Sequence, residues 1–324
     1  MSLPRISSRL ATLAFLAVAA LAFDGCGGSG KGANEAPNAS VDVDGDPVAL
    51  LPSGALALAN LDAKTFYAAG ALGAQLAQAA ERLVPVGDEA GFVPARDTDR
   101  VVLALYVSQG VDAAAIVSGR FDQSRIAQVA ANNMVTKSGS AIVTTQYAGH
   151  AVYTLGTVGF TVLSSKTVLA GTDWGIRRTL DKITSGHAAR AFKPWMLDNC
   201  DSKGTPLAFS ADFTNQPVVS AAMGTVALPF LTGLQTARVI ANFKDPGMQV
   251  AARFSYGDPT QAASAAQQIH AADDWNRVFG SVLGKVSDLD VAADGADVTA
   301  AATLDDSSLR ALVGMALHLL PAAR

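Results

Sequence analysis

Hydrophobic residues recur at two different spacings along residues 47–324, and each spacing predicts a different element. Every second residue is apolar across residues 248–254, which is the period of a half-buried strand. Across residues 306–320, apolar residues recur three and four positions apart, which predicts a final helix. Asp294-Gly295 separates two apolar runs and predicts a hairpin turn. The chain therefore combines strands and helices.

The predicted elements follow the order strand, helix, two strands, helix, strands, helix. This order predicts an α+β fold with mostly antiparallel sheets and helices on one face. A ferredoxin-like, split β-α-β topology is the natural expectation for it. A helix is also predicted from Gln216 towards Leu234, and an additional hairpin in the first half turns near His150.

Two stretches of the chain resemble each other, which indicates an internal duplication. The stretch from Thr98, continuing through Arg120-Phe121 to Asp122, corresponds to the stretch from Thr236, continuing through Arg253-Phe254 to Asp258. Two copies predict tandem domains rather than a solenoid. The predicted organisation is a signal peptide at 1–25, a lipidated cysteine and flexible tether at 26–46, a first α+β domain at 47–186, an inter-domain linker at 187–204 and a second α+β domain at 205–324.

The N-terminal residues have the pattern of an export signal. Arg5 and Arg9 precede the apolar run of residues 10–23, which is too short to span a bilayer as a helix. Gly25-Cys26 and a Gly/Ser-rich stretch follow, and this arrangement resembles the lipobox of bacterial lipoproteins. Asp24 departs from that pattern, in which an apolar or small residue normally stands two positions before the cysteine.

The resemblance implies that Cys26 carries acyl chains such as palmitate and becomes the first residue of the mature chain. Two or more acyl chains anchor a protein stably in a membrane. The expected location is the cell envelope, at the outer membrane and facing the periplasm or the exterior. Ordinary signal cleavage and an uncleaved anchor are the alternatives.

Composition excludes several classes of protein. Half of the 324 residues are hydrophobic, so the chain is not disordered as a whole. The 24 Lys+Arg against 28 Asp+Glu give a net charge of −4 without a basic block, which argues against nucleic-acid binding. The two cysteines exclude a disulfide framework and a four-cysteine metal site. If Cys26 is lipidated, Cys200 has no cysteine left to pair with, and its role stays open.

Candidate metal and catalytic groups are few. His270, Asp273 and Asp274 lie on one face of a predicted helix. They are either part of a metal site or a solvent-exposed helix end. The acidic stretch 42–46 resembles a calcium loop in its aspartates, but it lacks the glycine and glutamate of an EF-hand at the required positions. No nucleophile elbow or dinucleotide fingerprint is present, so we predict neither an enzyme, a cofactor nor a bound metal.

The layout resembles that of many bacterial envelope lipoproteins of unknown function. We therefore expect a non-catalytic protein, attached to the membrane through lipid on Cys26, that binds or scaffolds an envelope protein, a polymer or an apolar ligand. Clefts between domains commonly hold ligands, and the domain junction is the expected place. A secreted or periplasmic hydrolase with a site between the domains is one alternative, and a structural spacer without a ligand is another.

Overall fold

The structure is a computed structural model that describes residues 41–83, 87–107, 111–132, 142–155, 158–216, 229–244, 247–271 and 286–309. It is α+β with an extensive antiparallel sheet, as predicted. The described chain divides into two compact units, one ending at Phe209 and the other beginning at Ser210. We term them the N-terminal and C-terminal units. None of the helices in these residues has the length and apolar character needed to cross a lipid bilayer.

Among the described residues, the N-terminal unit contains seven α-helices, a 3₁₀ turn at Asp88–Ala90 and seven complete strands. The helices are α1 (Pro47–Leu50), α2 (Ala63–Tyr67), α3 (Gly70–Leu83), α4 (Pro94–Asp97), α5 (Gln123–Ala131), α6 (Asp173–Thr184) and α7 (Pro194–Cys200). The strands are β1 (Ala57–Leu61), β2 (Thr98–Val107), β3 (Val111–Gly119), β4 (Val143–Tyr147), β5 (His150–Leu155), β6 (Val158–Val162) and β7 (Thr167–Thr172).

Both faces of this sheet are apolar. The strands lie in the order β1-β2-β3-β7-β6-β5-β4. On β5, Val152 packs into a core with Ile176 of α6, while the next residue, Tyr153, packs into a second core with Ile126 of α5. Adjacent strand residues point to opposite faces, so helices cover both sides of the sheet. The expectation of helices on one face is therefore wrong for this unit.

The C-terminal unit repeats the strand order of the first. It contains β8 (Leu207–Asp212), which crosses the boundary between the units, β9 (Leu234–Lys244), β10 (Gly247–Tyr256), helix α8 (Pro259–His270), β11 (Val286–Asp294) and β12 (Asp297–Asp305). The order β8-β9-β10-β12-β11 has the same form as β1-β2-β3-β7-β6. Among the described residues, the hairpin β4–β5 has no counterpart in the C-terminal unit, in which residues 272–285 lie outside the described part.

Strand register corrects the alignment of the two copies. Thr98 lies opposite Gly119, and Thr236 lies opposite Ser255, so Arg120-Phe121 corresponds to Tyr256-Gly257 rather than to Arg253-Phe254. The topology also differs from a ferredoxin-like one. A split β-α-β unit needs neighbouring strands that run parallel. Here the neighbouring pairs β2–β3, β3–β7, β7–β6 and β6–β5 are all antiparallel.

Two predicted boundaries move. The predicted linker at 187–204 contains α7, whose Met196 and Cys200 are buried in the core of the N-terminal unit. The predicted helix from Gln216 falls mostly on residues 217–228, outside the described part, and only its predicted end near Leu234 is seen to differ, as a short 3₁₀ turn at Pro229–Leu231 followed by β9. Residues 310–324, which hold most of the predicted final helix, lie outside it as well.

Candidate functional site

The end of the predicted tether is fastened to the N-terminal unit. Cys26 lies outside the described residues, which begin at Val41. Oδ1 of Asp44 accepts hydrogen bonds from the hydroxyls of Ser164 and Thr167, the latter at 2.7 Å. These two donors hold the pKa of Asp44 below its ordinary value, which keeps the carboxylate ionised.

A second aspartate of the same segment is held by an arginine. Asp46 caps α1 by accepting from the Val48 N–H, and Nε of Arg190 donates to its Oδ2 at 2.6 Å. Arg190 also bonds Asp201. Burial opposes ionisation of Asp46, but the hydrogen bond and charge of Arg190 outweigh it and lower its pKa. We term Asp44, Asp46, Ser164, Thr167 and Arg190 the tether clamp.

The aspartates of the calcium-loop-like stretch 42–46 accept hydrogen bonds from groups of the protein itself. Asp42 accepts a hydrogen bond from the Asp44 N–H at 3.0 Å, which closes a local turn. Asp44 and Asp46 are directed to donors on the folded unit. Within the described residues, no three His, Cys, Asp or Glu side chains are grouped closely enough to hold a metal ion.

The candidate histidine of the metal fragment has a structural contact. Nε2 of His270 donates to the Val291 carbonyl at 3.0 Å, which joins the end of α8 to β11. Asp273 and Asp274 lie outside the described residues. His150 is half-buried at the β4–β5 turn, and burial lowers its pKa. The imidazole of His150 is therefore neutral at pH 7.

Cys200 lies in the core of the N-terminal unit. Its side chain is 3 % exposed, and burial raises the pKa of the thiol to about 11. Its carbonyl accepts a hydrogen bond from Nδ2 of Asn60 at 2.8 Å. The thiolate is the reactive form of cysteine, so this group is a packing residue and not a nucleophile at neutral pH.

A polar pocket of about 470 Å³ opens on the N-terminal unit. Nε of Arg100 donates to Oδ1 of Asn60 at 2.7 Å, and Asp62 caps α2 by accepting from the Thr65 N–H. The pocket joins residues far apart in sequence, and no local sequence pattern predicts that they converge. Its lining carries two cations and two carboxylates, and it consists of Asn60, Asp62, Lys64, Asp99, Arg100 and Thr205.

Strand β4 presents an exposed and uncharged edge. Residues 143–146 are exposed, with Val143 at 58 %. Among the described strands, β4 pairs with β5 alone. The turn that joins them places Ala148 at φ 50° and Gly149 at φ 81°, the geometry of a two-residue type I′ hairpin. The sequence predicted this hairpin but not its exposed edge, for which the absence of charge in 143–147 was the available signal.

Helix α6 fixes the position of this edge. The Tyr147 hydroxyl donates to Oδ1 of Asp181 at 2.8 Å, and the Arg177 guanidinium lies 4.6 Å from the centre of the Tyr147 ring. Burial and the Asp181 carboxylate raise the pKa of Tyr147, so its hydroxyl stays protonated and remains a donor. Arg177 is held in turn by Asp173 at 2.8 Å.

Comparison with known proteins yields a fold and no family. No family description matches the sequence, and no curated protein matches it. Crystal forms III, I and IV of TP0453 are similar in structure, with TM-scores of 0.53, 0.53 and 0.52 and 11 % identity each. The similarity covers 84, 85 and 83 % of this chain and 98, 98 and 96 % of those chains. At this identity the likeness shows the α+β fold alone.

Proposed function

We propose that the protein is an exported lipoprotein, anchored through acyl chains on Cys26, that acts in the cell envelope by binding another polypeptide and not by catalysis. The N-terminal signal and the cysteine after it support export and acylation. The composition of residues 27–40, rich in Gly, Ser, Asn and Pro, is that of a tether.

The tether clamp is the observation that carries the anchored part of the proposal. The peptide chain itself joins the tether to the folded unit, and the clamp fixes the point at which the tether leaves that unit. Asp44 and Asp46 hold this exit point, because their carboxylates bond Thr167 and Arg190, which lie more than a hundred residues further along the chain. The exposed edge of β4 supports a binding role, because a strand edge offers backbone donors and acceptors to a partner strand.

The experiment is the intact mass and the N-terminal peptide of the protein recovered from membranes. We expect a chain that begins at acylated Cys26. Cys26→Ala should move the protein to the soluble fraction, whereas Cys200→Ala, the matched control at the other cysteine, should leave it in the membrane fraction. An unmodified N-terminus on a soluble chain would reject the anchor, and turnover of an envelope substrate by the purified protein would reject the non-catalytic role.

A further inference from the structure

We propose that β4 pairs with β4 of a second copy of this chain, antiparallel and about a two-fold axis at Thr145. The inference rests on the proposed function, because anchoring through Cys26 would confine copies to one membrane plane. Isologous contacts of this kind use one surface patch twice and therefore need a self-complementary patch.

The backbone of β4 is suited to this pairing. Tyr147 and His150 close the two-residue hairpin, so they form a hydrogen-bonded pair with β5. Hydrogen-bonded and non-hydrogen-bonded pairs alternate along an antiparallel ladder, so Thr144 and Gln146 are non-hydrogen-bonded towards β5. Their N–H and C=O groups are therefore directed away from β5. Placing Thr144 opposite Gln146 of the second copy lets each such pair exchange both backbone hydrogen bonds.

The side chains agree with the same register. Thr145 then faces Thr145 of the second copy, and Val143 faces Tyr147 of the second copy. Thr145 shares a sheet face with its β5 partner Val152, whose side chain packs in the core under α6. Threonine pairs and aromatic with β-branched pairs are favourable across strands. No two charges meet, because residues 143–147 carry none.

The strand that ends the order of the C-terminal unit is closed to such pairing. β11 carries Asp288, Asp290 and Asp294, and its register with β12 shifts between Ser287 and Asp290. Self-pairing of β11 would bring carboxylates together, which is unfavourable. Of these two strands, β4 alone is free of charge and of a register shift.

The contact between two β4 strands is small, so the pairing depends on the membrane anchor. β4 has five residues, whereas stable interfaces use roughly 20–30 residues on each side. Pairing through β4 is therefore weak between freely diffusing chains. Confinement raises the effective concentration and makes a weak contact productive without any new interaction.

The test is disulfide cross-linking through a cysteine introduced at the proposed axis. The full-length variant is oxidised while it is still in the membranes of the cells that express it. Thr145→Cys places two thiols at a non-hydrogen-bonded pair, where Cα atoms lie about 4.5 Å apart, within disulfide reach. Val143→Cys is the matched control, since in this register the two copies of residue 143 are about 13 Å apart along the strands. We expect about tenfold more disulfide-linked dimer from Thr145→Cys than from Val143→Cys.

Placing opposite charges at residue 145 of two copies tests whether the partner of β4 is a second copy of this chain. Thr145→Glu and Thr145→Lys should each lose dimer when expressed alone, because like charges would face each other at the axis. Co-expressing the two variants with different tags should restore mixed dimers. Thr144→Glu is the control, since residue 144 faces Gln146 of the second copy in this register and not its own equivalent.

Three outcomes would overturn the proposal. Equal cross-linking of the Thr145→Cys and Val143→Cys variants would indicate random collision. Capture of a different protein by the Thr145→Cys chain would assign the edge to another partner. Failure of the Glu and Lys variants to form mixed dimers would exclude the axis. The mass of the N-terminal peptide is measured separately, so loss of the anchor is distinguished from loss of the β4 contact.

Discussion

β4 and β11 are the end strands in the described strand order of the two units, and they are protected to different degrees from pairing with another strand. β11 has three aspartates, a register shift and a left-handed residue, Asp288 at φ 55°. The end of α8 is joined to it through His270 and Val291. β4 has no charge, a regular register and a side chain of Val143 that is 58 % exposed. Proteins commonly protect edge strands with charges and bulges, so an edge without them is a candidate for binding.

Within the described residues, the two units differ by the hairpin β4–β5. β6 of the N-terminal unit corresponds to β11 in strand order, and residues 159–162 of β6 are buried. The hairpin β4–β5 pairs with β6 through β5 and so covers what would have been the edge. The hairpin therefore buries β6 and places β4 at the edge of the described strands in its place.

Gly175→Ala should have the largest effect, because it disturbs α6, the helix that contacts β4 through Asp181 and Tyr147. A Cβ at Gly175 of α6 would lie 2.0 Å from the Ala113 carbonyl oxygen of β3, so helix or strand must move. We expect a loss of about 3 kcal/mol of stability in the N-terminal unit. Because Tyr147 bonds Asp181 of the same helix, amide exchange in β4–β5 should accelerate. Hydrogen exchange followed by mass spectrometry measures this segment by segment.

A glycine of the other unit provides the control. A Cβ at Gly257 would meet only the side-chain ends of Gln235 and Gln261, at 3.3 Å or more. Gly257→Ala should therefore leave exchange in both units close to that of the parent chain. Faster exchange in β11–β12 of the Gly175→Ala variant would contradict the expectation that the effect is confined to the N-terminal unit.

Arg190→Gln should produce a smaller effect, confined to the tether clamp. The substitution removes the partner of Asp46 and Asp201, and we expect a loss of at most about 1 kcal/mol because the groups are partly exposed. Arg253→Gln is the matched control, since Arg253 pairs with Asp297 in the C-terminal unit. Limited proteolysis around residues 41–46 should detect release in the first variant and not in the second.

The penalty of Arg190→Gln should depend on pH. In the folded chain burial is outweighed by the hydrogen bond and charge of Arg190, which lower the pKa of Asp46 from its ordinary value of 3.8. Groups with a lowered pKa contribute their full stability above the unfolded value and lose it as the pH falls through the folded value. The difference between parent and variant should be complete at pH 7 and shrink below about pH 3.8. A difference that persists unchanged at pH 2 would assign the effect to packing.

Local chemistry made part of the fold predictable from the sequence. The helix starts at Asp122 and Asp258 follow from side-chain caps, and both carboxylates accept backbone N–H groups of the first turn. The hairpin predicted at Asp294-Gly295 is present, but its turn lies one residue later, because Asp294 pairs with Asp297 and leaves Gly295-Ala296 as the two turn residues; Gly295 supplies the positive φ, 58°, that the turn requires. These features depend on residues a few positions apart.

Features that join distant residues were not predictable in the same way. Helix α7 was predicted to be part of a linker. Its apolar face is short, and the sequence alone does not show that Met196 and Cys200 are buried in the core. The polar pocket requires Asn60, Arg100 and Thr205 to converge. The copies were misaligned at Arg253 because sequence similarity does not show which residues face each other across a hairpin. Register is a pairing property and needs both strands.

Asp290→Thr should have the smallest effect on folding, and it tests whether charge is what keeps β11 from pairing. Asp290 is exposed on β11, so its replacement should change stability by less than about 0.5 kcal/mol. Removing this charge should nevertheless make β11 more like β4 and increase self-association, measured by sedimentation over a range of concentrations in a Thr145→Glu background that closes β4. Asp198→Thr, the same charge change at an exposed residue of α7, is the control. If Asp290→Thr associates no more than Asp198→Thr, the register shift at Asp288 protects β11 by itself. In that case regular geometry, and not lack of charge, is what makes β4 available, and inserting a residue into β4 should close it more effectively than adding a charge.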